Sequence, residues 1–323
     1  MSNIAVFDTS LGTLNLGDWI IMDAFYKEMD FLLKDSFVVR YGTHTPIAKS
    51  YQSIKTGYNF RYLNSTQYKF IGGTNIFKHS LLHANPDWNI NLFDIKFYRN
   101  SISVGCGSYL ESKGVDAYTR YLYKHILRKD IIHSTRDEKT KELLESLGFK
   151  AINTGCPTMW GFTIEHCESI PRTKMNNVVF TLTDYNKDYV LDQQMIDILL
   201  RCYDNVFFWP QGSDDLEYFN AMKNTNTIKV IKTNLQSYID LLQTDIDYVG
   251  TRLHAGLFAI SKKKRSIIIS LDERAREIDK TYNLKCLERK IINDELESRI
   301  NSSFETHIDV DLEHINMWKD QFR

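Results

Sequence analysis

The chain has 323 residues, of which 43% are hydrophobic, 25% charged and 13% aromatic, the make-up of an ordinary globular protein and not of a disordered or fibrous one. At roughly 150 residues per domain the length fits about two domains, each able to bury a core of its own. A formal charge of -1 leaves no broad basic face, and no recognition motif is present, so no nucleic-acid partner is expected.

From the amino terminus, MSNIAVFDTSLGTLNLGDW lacks the basic region and long apolar core of a signal peptide, and no segment reaches the ~18 consecutive apolar residues of a membrane-spanning helix. A soluble, cytoplasmic protein is expected, with peripheral attachment at the inner face of the membrane left open. Short apolar runs bounded by turn residues then alternate with helical periodicity, the pattern of parallel sheets wrapped by helices. IAVF, SFVVRY, YKFIGG, SISVG and IIHST read as strands, with helices near Trp19–Asp30, Asp116–Leu127 and Asp137–Leu147.

After Pro157, Gly161, Pro171 and Arg172 the pattern restarts with NVVFTL, a helix near Tyr189–Cys202, NVFFWPQ, a helix from Asp214, TIKVIK, a helix from Leu235, DYVGT, a helix from Leu253, SIIIS and a helix from Asp272. The sequence therefore predicts an α/β protein of two doubly wound, Rossmann-like lobes facing a central cleft, residues 1–165 and 175–305, with the linker between Cys156 and Lys174. The tail 306–323 predicts a helix packed across the lobes. Lys262, Lys263, Lys264 and Arg265 read as a solvated helix end beside a negative C-terminal dipole. The five cysteines are scattered, with no CxxC and no metal-like spacing to a histidine, which suits a reducing cytosol and predicts no metal site.

In open α/β sheets ligands bind at the carboxyl ends of strands, so the loops there are the candidate sites. In GTRLHAGLFAI, Gly250 to Ile260, Arg252 and His254 fall on the strand-to-helix loop and first helical turn, where unpaired amides and the helix dipole favour an anion. Arginine adds a rigid fork for phosphate or carboxylate, and histidine a proton donor near neutrality. The other reading stays open: Arg252 paired with a structural carboxylate and His254 in the core. TSLGTLNLGD carries Gly12 and Gly17, with Asn15 and Asp18 able to cap the next helix or to face a ligand. GxxxxG without a following Lys-Ser/Thr is no phosphate-binding loop of the P-loop type. Gly72-Gly73-Thr74-Asn75, Gly105-Cys106-Gly107, Thr135-Arg136-Asp137, Trp209-Pro210-Gln211-Gly212 and Ser270-Leu271-Asp272-Glu273 are the remaining strand ends. Asp137 is a candidate N-cap, and Arg136 a candidate anion ligand. No Ser-His-Asp or Cys-His arrangement has a recognisable local spacing.

Asn15 to Asp18, Gly72-Gly73, VGCG, TRDEKTKELLESLG, PQGSDD and above all GTRLHAGLFAI together resemble the polysaccharide pyruvyltransferase family, in order over most of the chain. The resemblance implies a fold similar to GT-B glycosyltransferases and transfer of a pyruvyl group from phosphoenolpyruvate, a co-substrate and not a cofactor, to a hydroxyl pair of a saccharide as a ketal. The acceptor is a cell-surface polysaccharide or its precursor, free or lipid-linked. Arg252 matches the family's anion-binding arginine and His254 its functional histidine. Taken with the other loops, the resemblance implies residues 1–165 as the acceptor side and 175–305 as the donor side, with His254 and Asp18 in catalysis, Arg252, Leu253, Arg136, Gln211 and Arg274 on the donor, and Asn15, Gly73 and Asn75 on the acceptor. One departure stands out. Where family members bring a further arginine after the first strand of the second lobe, this chain has Thr181-Leu182-Thr183-Asp184-Tyr185, which leaves three alternatives: Lys187 or Arg172 replaces it, Arg136 reaches across, or donor binding is altered or absent. The rival readings are a nucleotide-sugar glycosyltransferase of the same architecture, with Arg252 on the diphosphate and Glu273 on the ribose, and a non-catalytic relative that binds a saccharide or phosphorylated ligand.

Overall fold

A computed structural model describes residues 2–48, 61–82, 87–109, 114–271 and 273–323, without the side chains of 61, 109, 273–275 and 277. The chain divides into two compact units. Met1–Thr13, Ile21–Trp160 and Asp311–Arg323 form one; Leu14–Ile20 and Gly161–Val310 form the other. The division falls at Trp160–Gly161, within the stretch from Cys156 to Lys174 that the sequence offers as the linker. The NLGD loop, assigned from sequence to the first lobe, belongs to the second unit, and the C-terminal helix Leu312–Lys319 belongs to the first.

In the first unit, β1 (Ser2–Asp8), β2 (Ser36–Gly42), β3 (Tyr68–Gly72) and β5 (Ser101–Val104) form a parallel sheet of order β2-β1-β3-β5; β4 (Phe77–Lys78) pairs with β6 (Ser108–Tyr109) beside it. A parallel pair, β7 (Ile132–Thr135) and β8 (Lys150–Asn153), continues from β5 through single bridges, Ser101 to Leu127 and Cys106 to Thr135. Side chains fill the gap in that ladder. The Ser103 amide donates to His133 Nδ1 (3.2 Å), and the Gly105 amide to Ser134 Oγ (2.8 Å). The runs AVF and ISV are buried on both faces, as a sheet covered by helices on both sides requires. Trp88, with no exposed surface, packs against Phe77, Tyr98 and Tyr123 in the core. Trp318 donates its indole N–H to the Ile132 carbonyl (2.8 Å), and Phe322 meets Phe70 and Tyr68 edge-on, which fastens the C-terminal helix to this unit.

The second unit holds a six-stranded parallel sheet of order β11-β10-β9-β12-β13-β14, built from β9 (Asn177–Thr181), β10 (Asn205–Phe208), β11 (Lys229–Val230), β12 (Asp247–Gly250), β13 (Ser266–Ser270) and β14 (Leu287–Glu288). Its helices begin where capping residues stand: Asp188 accepts from the Leu191 amide (3.0 Å) and Asn234 from the Ser237 amide (2.8 Å). The chain winds outward from β9 through β10 to β11, then returns to β12 on the other side. The strand order therefore reverses between β9 and β12, which makes their carboxyl ends the switch point where such sheets bind ligands.

The basic run Lys262–Arg265 is not uniformly solvated. Arg265 is 1% exposed; it pairs with buried Asp247 (3.0 Å) and donates through Nη2 to the carbonyls of Arg299 (3.1 Å), Ile300 (2.9 Å) and Ser302 (2.9 Å). A local count of charges cannot reveal this. The acceptors are the carbonyls that end the helix Ile292–Asn301, about 35 residues later, and an arginine fork is the one basic side chain able to span several of them.

Candidate functional site

Three motifs meet in the second unit, one of them from the far amino-terminal part of the chain. β12 ends at Gly250, where a Cβ would lie 2.4 Å from Thr181 Oγ1, so only glycine lets β9 and β12 run together to the switch point. Thr251 then shares a hydroxyl hydrogen bond with Thr183 (2.8 Å), and the Arg252 amide donates to Thr181 Oγ1 (3.2 Å) while its carbonyl accepts from Tyr248 (2.8 Å). The Arg252 backbone is thus held on both sides, independently of its side chain.

The Arg252 guanidinium, 5% exposed, is engaged by carboxylates. Nε donates to Asp215 Oδ2 (3.1 Å) and to the Leu182 carbonyl (3.0 Å), while Nη2 donates to Asp215 Oδ1 and Asp184 Oδ1. The Tyr185 ring lies 5.1 Å from the guanidinium carbon. Asp215, with no exposed surface, also accepts from the amides of Gln211 (3.0 Å), Gly212 (2.7 Å) and Asp184 (3.2 Å). Burial pushes the Asp215 carboxyl above the ordinary carboxylate range, against the pull of Arg252. Asp184 is 22% exposed at its side chain. So Arg252 is not a free anion clamp in this structure; two carboxylates share its charge. Neither partner was identified from sequence. The signal was present in Asp184, an acid where the family resemblance leads one to expect a base.

The NLGD loop lies against the PQG loop. Leu16 donates its amide to the Gln211 carbonyl (2.8 Å), Asn15 and Gly212 form an antiparallel bridge, and Asn15 Oδ1 accepts from the Gly17 amide (3.0 Å) and from Gln211 Nε2 (3.0 Å). A Cβ on Gly17 would meet Gln211 Nε2 at 2.8 Å, and one on Gly212 would meet Arg252 Nη2 at 2.6 Å, so both glycines permit the approach of these loops. Gln211 is 3% exposed, and its Oε1 finds no hydrogen-bond donor among the described residues. Asp18, buried, and His254, half-buried, stand on the first turns of the helices Leu16–Glu28 and Leu253–Ser261, and Leu253 is half-buried beside His254.

Arg136, Gly73 and Asn75 occupy the first unit. Arg136 Nη2 donates to Asn75 Oδ1, both residues are buried, and a Cβ on Gly107 would lie 2.5 Å from that guanidinium. A Cβ on Gly73 would lie 2.3 Å from the Gly105 carbonyl oxygen, so close backbone approach accounts for that glycine. Asp137 caps its helix through the Thr140 amide (2.8 Å). The Arg274 and Glu273 side chains, and Asp272 altogether, lie outside the described residues. Of the proposed substitutes for the missing arginine, Lys187 stands over the Tyr218 ring at 5.5 Å and Arg172 pairs with Glu305. An arginine does reach the loop after β9, from elsewhere in the chain: Arg289 donates to the Asn186 carbonyl (2.7 Å) and side chain (3.0 Å). Burial pushes the Cys106 thiol up to about 12, which rules it out as a ready nucleophile. Among the described residues no group of three or more His, Cys, Asp or Glu side chains is placed to hold a metal, and no helix is long and apolar enough to cross a membrane.

The sequence profile of the family described as polysaccharide pyruvyl transferase matches residues 15–273, from the NLGD loop to the start of the helix after β13. The chain belongs to this family. The transferase is also similar to the UDP-GlcNAc 2-epimerase of Methanocaldococcus jannaschii, solved with UDP-GlcNAc and UDP, with 11% identity, 97% of this chain and 96% of that chain covered and a TM-score of 0.52. That likeness shows the fold, two Rossmann-like units of GT-B type. Weaker matches are the E. coli heptosyltransferase WaaC (9% identity, 83% and 88% covered, TM-score 0.35) and the wall teichoic acid polymerase TagF (11%, 99% and 84%, TM-score 0.39). None of the curated proteins gives a significant sequence match.

Proposed function

We propose that the transferase moves the pyruvyl group of phosphoenolpyruvate onto two hydroxyls of a saccharide, and that the donor binds at the switch point between β9 and β12. The observation that carries this reading is the convergence of Arg252, Gln211 and the amino end of the helix Leu253–Ser261 on that point, within a chain whose family profile includes all three. Phosphoenolpyruvate presents a phosphate and a carboxylate on a three-carbon frame and needs two cationic or dipolar clamps close together. The Arg252 fork and the first amides of the helix are such a pair once Asp184, the more exposed of the two carboxylates, gives way.

In this reading the methylene carbon of the donor takes a proton and becomes the methyl group, leaving a cationic C2. One sugar hydroxyl adds to C2 and loses its proton. The C2–O bond to phosphate then breaks, and the second hydroxyl closes the ketal, losing its own proton, so that the net products are the ketal and inorganic phosphate. His254 is assigned to proton transfer and Asp18 to the balance of charge around it, both from first helical turns in the same unit. Gln211 Oε1, buried and without a donor among the described residues, is suited to accept from a ligand hydroxyl. Asn15 would act indirectly, by fixing the Gln211 amide.

The test is thermal stabilisation of the wild type and of His254→Gln by phosphoenolpyruvate, UDP and GDP, followed by phosphate release with diol-bearing saccharides. Ligand at about 100 times its Kd adds roughly 2.7 kcal/mol, a shift of several degrees. Phosphoenolpyruvate is expected to stabilise both proteins, with phosphate release lost in His254→Gln. Stabilisation by a nucleotide and none by phosphoenolpyruvate would replace this reading with the nucleotide-sugar glycosyltransferase. Binding of phosphoenolpyruvate with no phosphate release under any acceptor would favour the non-catalytic relative.

A further inference from the structure

At the other end of the first unit's sheet, the amino ends of β3, β5 and β7 surround an open cavity of about 380 Å³. Gln67 leads into β3, Arg99 and Asn100 into β5, and Arg128 and Asp130 into β7, whereas Gly73, Asn75 and Arg136 follow the carboxyl ends of the same strands. Every side chain lining the cavity is polar. Four are cations, Lys69, Lys96, Arg99 and Arg128, against the single carboxylate of Asp130, which Arg128 already holds through two hydrogen bonds (3.0 and 3.1 Å).

Lys69 is the telling residue. It sits inside β3 at 5% exposure, and its ammonium donates to the Phe97 carbonyl (3.0 Å). Among the described residues no carboxylate pairs with Lys69, Lys96 or Arg99. A buried ammonium without a counter-ion is costly to hold, and burial together with the Arg99 charge pulls the Lys69 ammonium down to about 8. A methionine or leucine would satisfy this strand position better, so packing does not explain the lysine.

We propose that this cavity binds a phosphorylated ligand carrying at least two negative charges, with Lys69 at its floor and Lys96, Arg99 and Arg128 around it. The volume exceeds that of a lone phosphate and fits a phosphorylated sugar or a diphosphate. Among the described residues no aromatic side chain lines the cavity, so it lacks the aromatic platform on which nucleobases commonly stack, and this favours a phosphorylated sugar or a diphosphate over a nucleotide. Asn64, Gln67 and Asn100 supply amides for the hydroxyl or ester oxygens of such a ligand.

Isothermal titration of the full chain with pyrophosphate and with glucose 1-phosphate tests the proposal, on the wild type, Lys69→Met and Arg99→Glu. Lys69→Met removes a buried charge and Arg99→Glu changes an exposed side chain, so both variants are expected to fold. Saturable binding is expected in the millimolar range or tighter, weakening as salt rises, with Kd increased at least about tenfold in each variant. Sedimentation with phosphatidic acid vesicles, against phosphatidylcholine alone, separates the sources. Soluble ligands that bind without vesicle capture identify a free phosphate ester, and vesicle capture lost in both variants identifies a lipid headgroup. No saturable binding to either, or binding unchanged in both variants, overturns the proposal.

Discussion

Asp215 and Asp184 touch the same guanidinium but should behave in opposite ways when neutralised. Asp215→Asn places an amide where a fully buried carboxylate accepts from three backbone N–H groups and from Arg252, so some donor must face a donor. Arg252, itself 5% exposed, would keep only the partly solvated Asp184 as counter-ion. Removing one partner of a buried pair costs about 3–5 kcal/mol. At a few degrees per kcal/mol for a unit of this size, the melting temperature should fall by roughly 10 °C. Asp184→Asn leaves the Asp215 pair intact and acts at a side chain that water reaches, so its cost is about 1 kcal/mol.

The ligand response should reverse that order. A carboxylate at ~5 Å from an incoming anion, in a partly solvated site with an effective dielectric near 40, repels it by roughly 1.5 kcal/mol, about tenfold in Kd. Asp184→Asn removes that repulsion and frees one guanidinium nitrogen, so phosphoenolpyruvate should bind about ten times more tightly to the variant. Thermal denaturation of the three proteins, with and without phosphoenolpyruvate, reads both effects in one experiment. Equal stability losses for the two variants would refute the assignment of Asp215 as the structural partner. Weaker binding to Asp184→Asn would refute the idea that Asp184 occupies the anion's place.

Three more outcomes follow from single contacts. His133 is fully buried and neutral, accepting at Nδ1 from Ser103 and donating from Nε2 to the Arg128 carbonyl (2.8 Å), and burial pulls it down to about 4. The unfolded chain binds that proton near pH 6.5, so stability is complete above 6.5 and falls by up to about 3 kcal/mol as pH drops toward 4; chemical denaturation at pH 7, 5 and 4 should show this, with a flatter profile in His133→Gln. Gly73→Ala sets a methyl 2.3 Å from a backbone oxygen that no rotamer change can move and should abolish soluble expression, whereas Gly114→Ala, with nothing within 4 Å, should express normally. Arg265→Lys loses a fork that reaches Asp247 and several carbonyls and should cost about 3 kcal/mol or more in denaturant titration, while Lys262→Ala at the same helix end should change stability by less than about 0.5 kcal/mol.

What was legible in the chain was whatever its neighbours in sequence decide. NVVFT, DYVG and SIIIS are strands because buried parallel strands read as short unbroken apolar runs, and the helices start at Asp137, Asp188 and Asn234 because those side chains accept the first free amides. GTRLHAGLFAI announced a strand end turning into a helix, and Arg252 is where that reading put it. The partners of that arginine were not legible, because pairing between positions 37 and 68 residues apart depends on how the strands are ordered in the sheet. The same holds for Asn15 and Gln211, 196 residues apart. Charge is where local reading misleads most. Arg265 looked like the end of a solvated run, Lys69 drew no attention inside the run YKFIGG, and Asp184 looked like the mere absence of an arginine. In each case the deciding quantity is the desolvation of a single charged group, and only the fold reveals whether a counter-charge comes with it. Arg265 has Asp247, and Arg252 has one acid more than its own charge requires, whereas among the described residues Lys69 has none. An excess acid on a cation at the switch point and an uncompensated cation at the opposite end of the other sheet are both unfavourable for a chain that only has to fold. Such departures from the packing optimum tend to fall at functional positions, and Asp184 and Lys69 are two that this chain carries near strand ends.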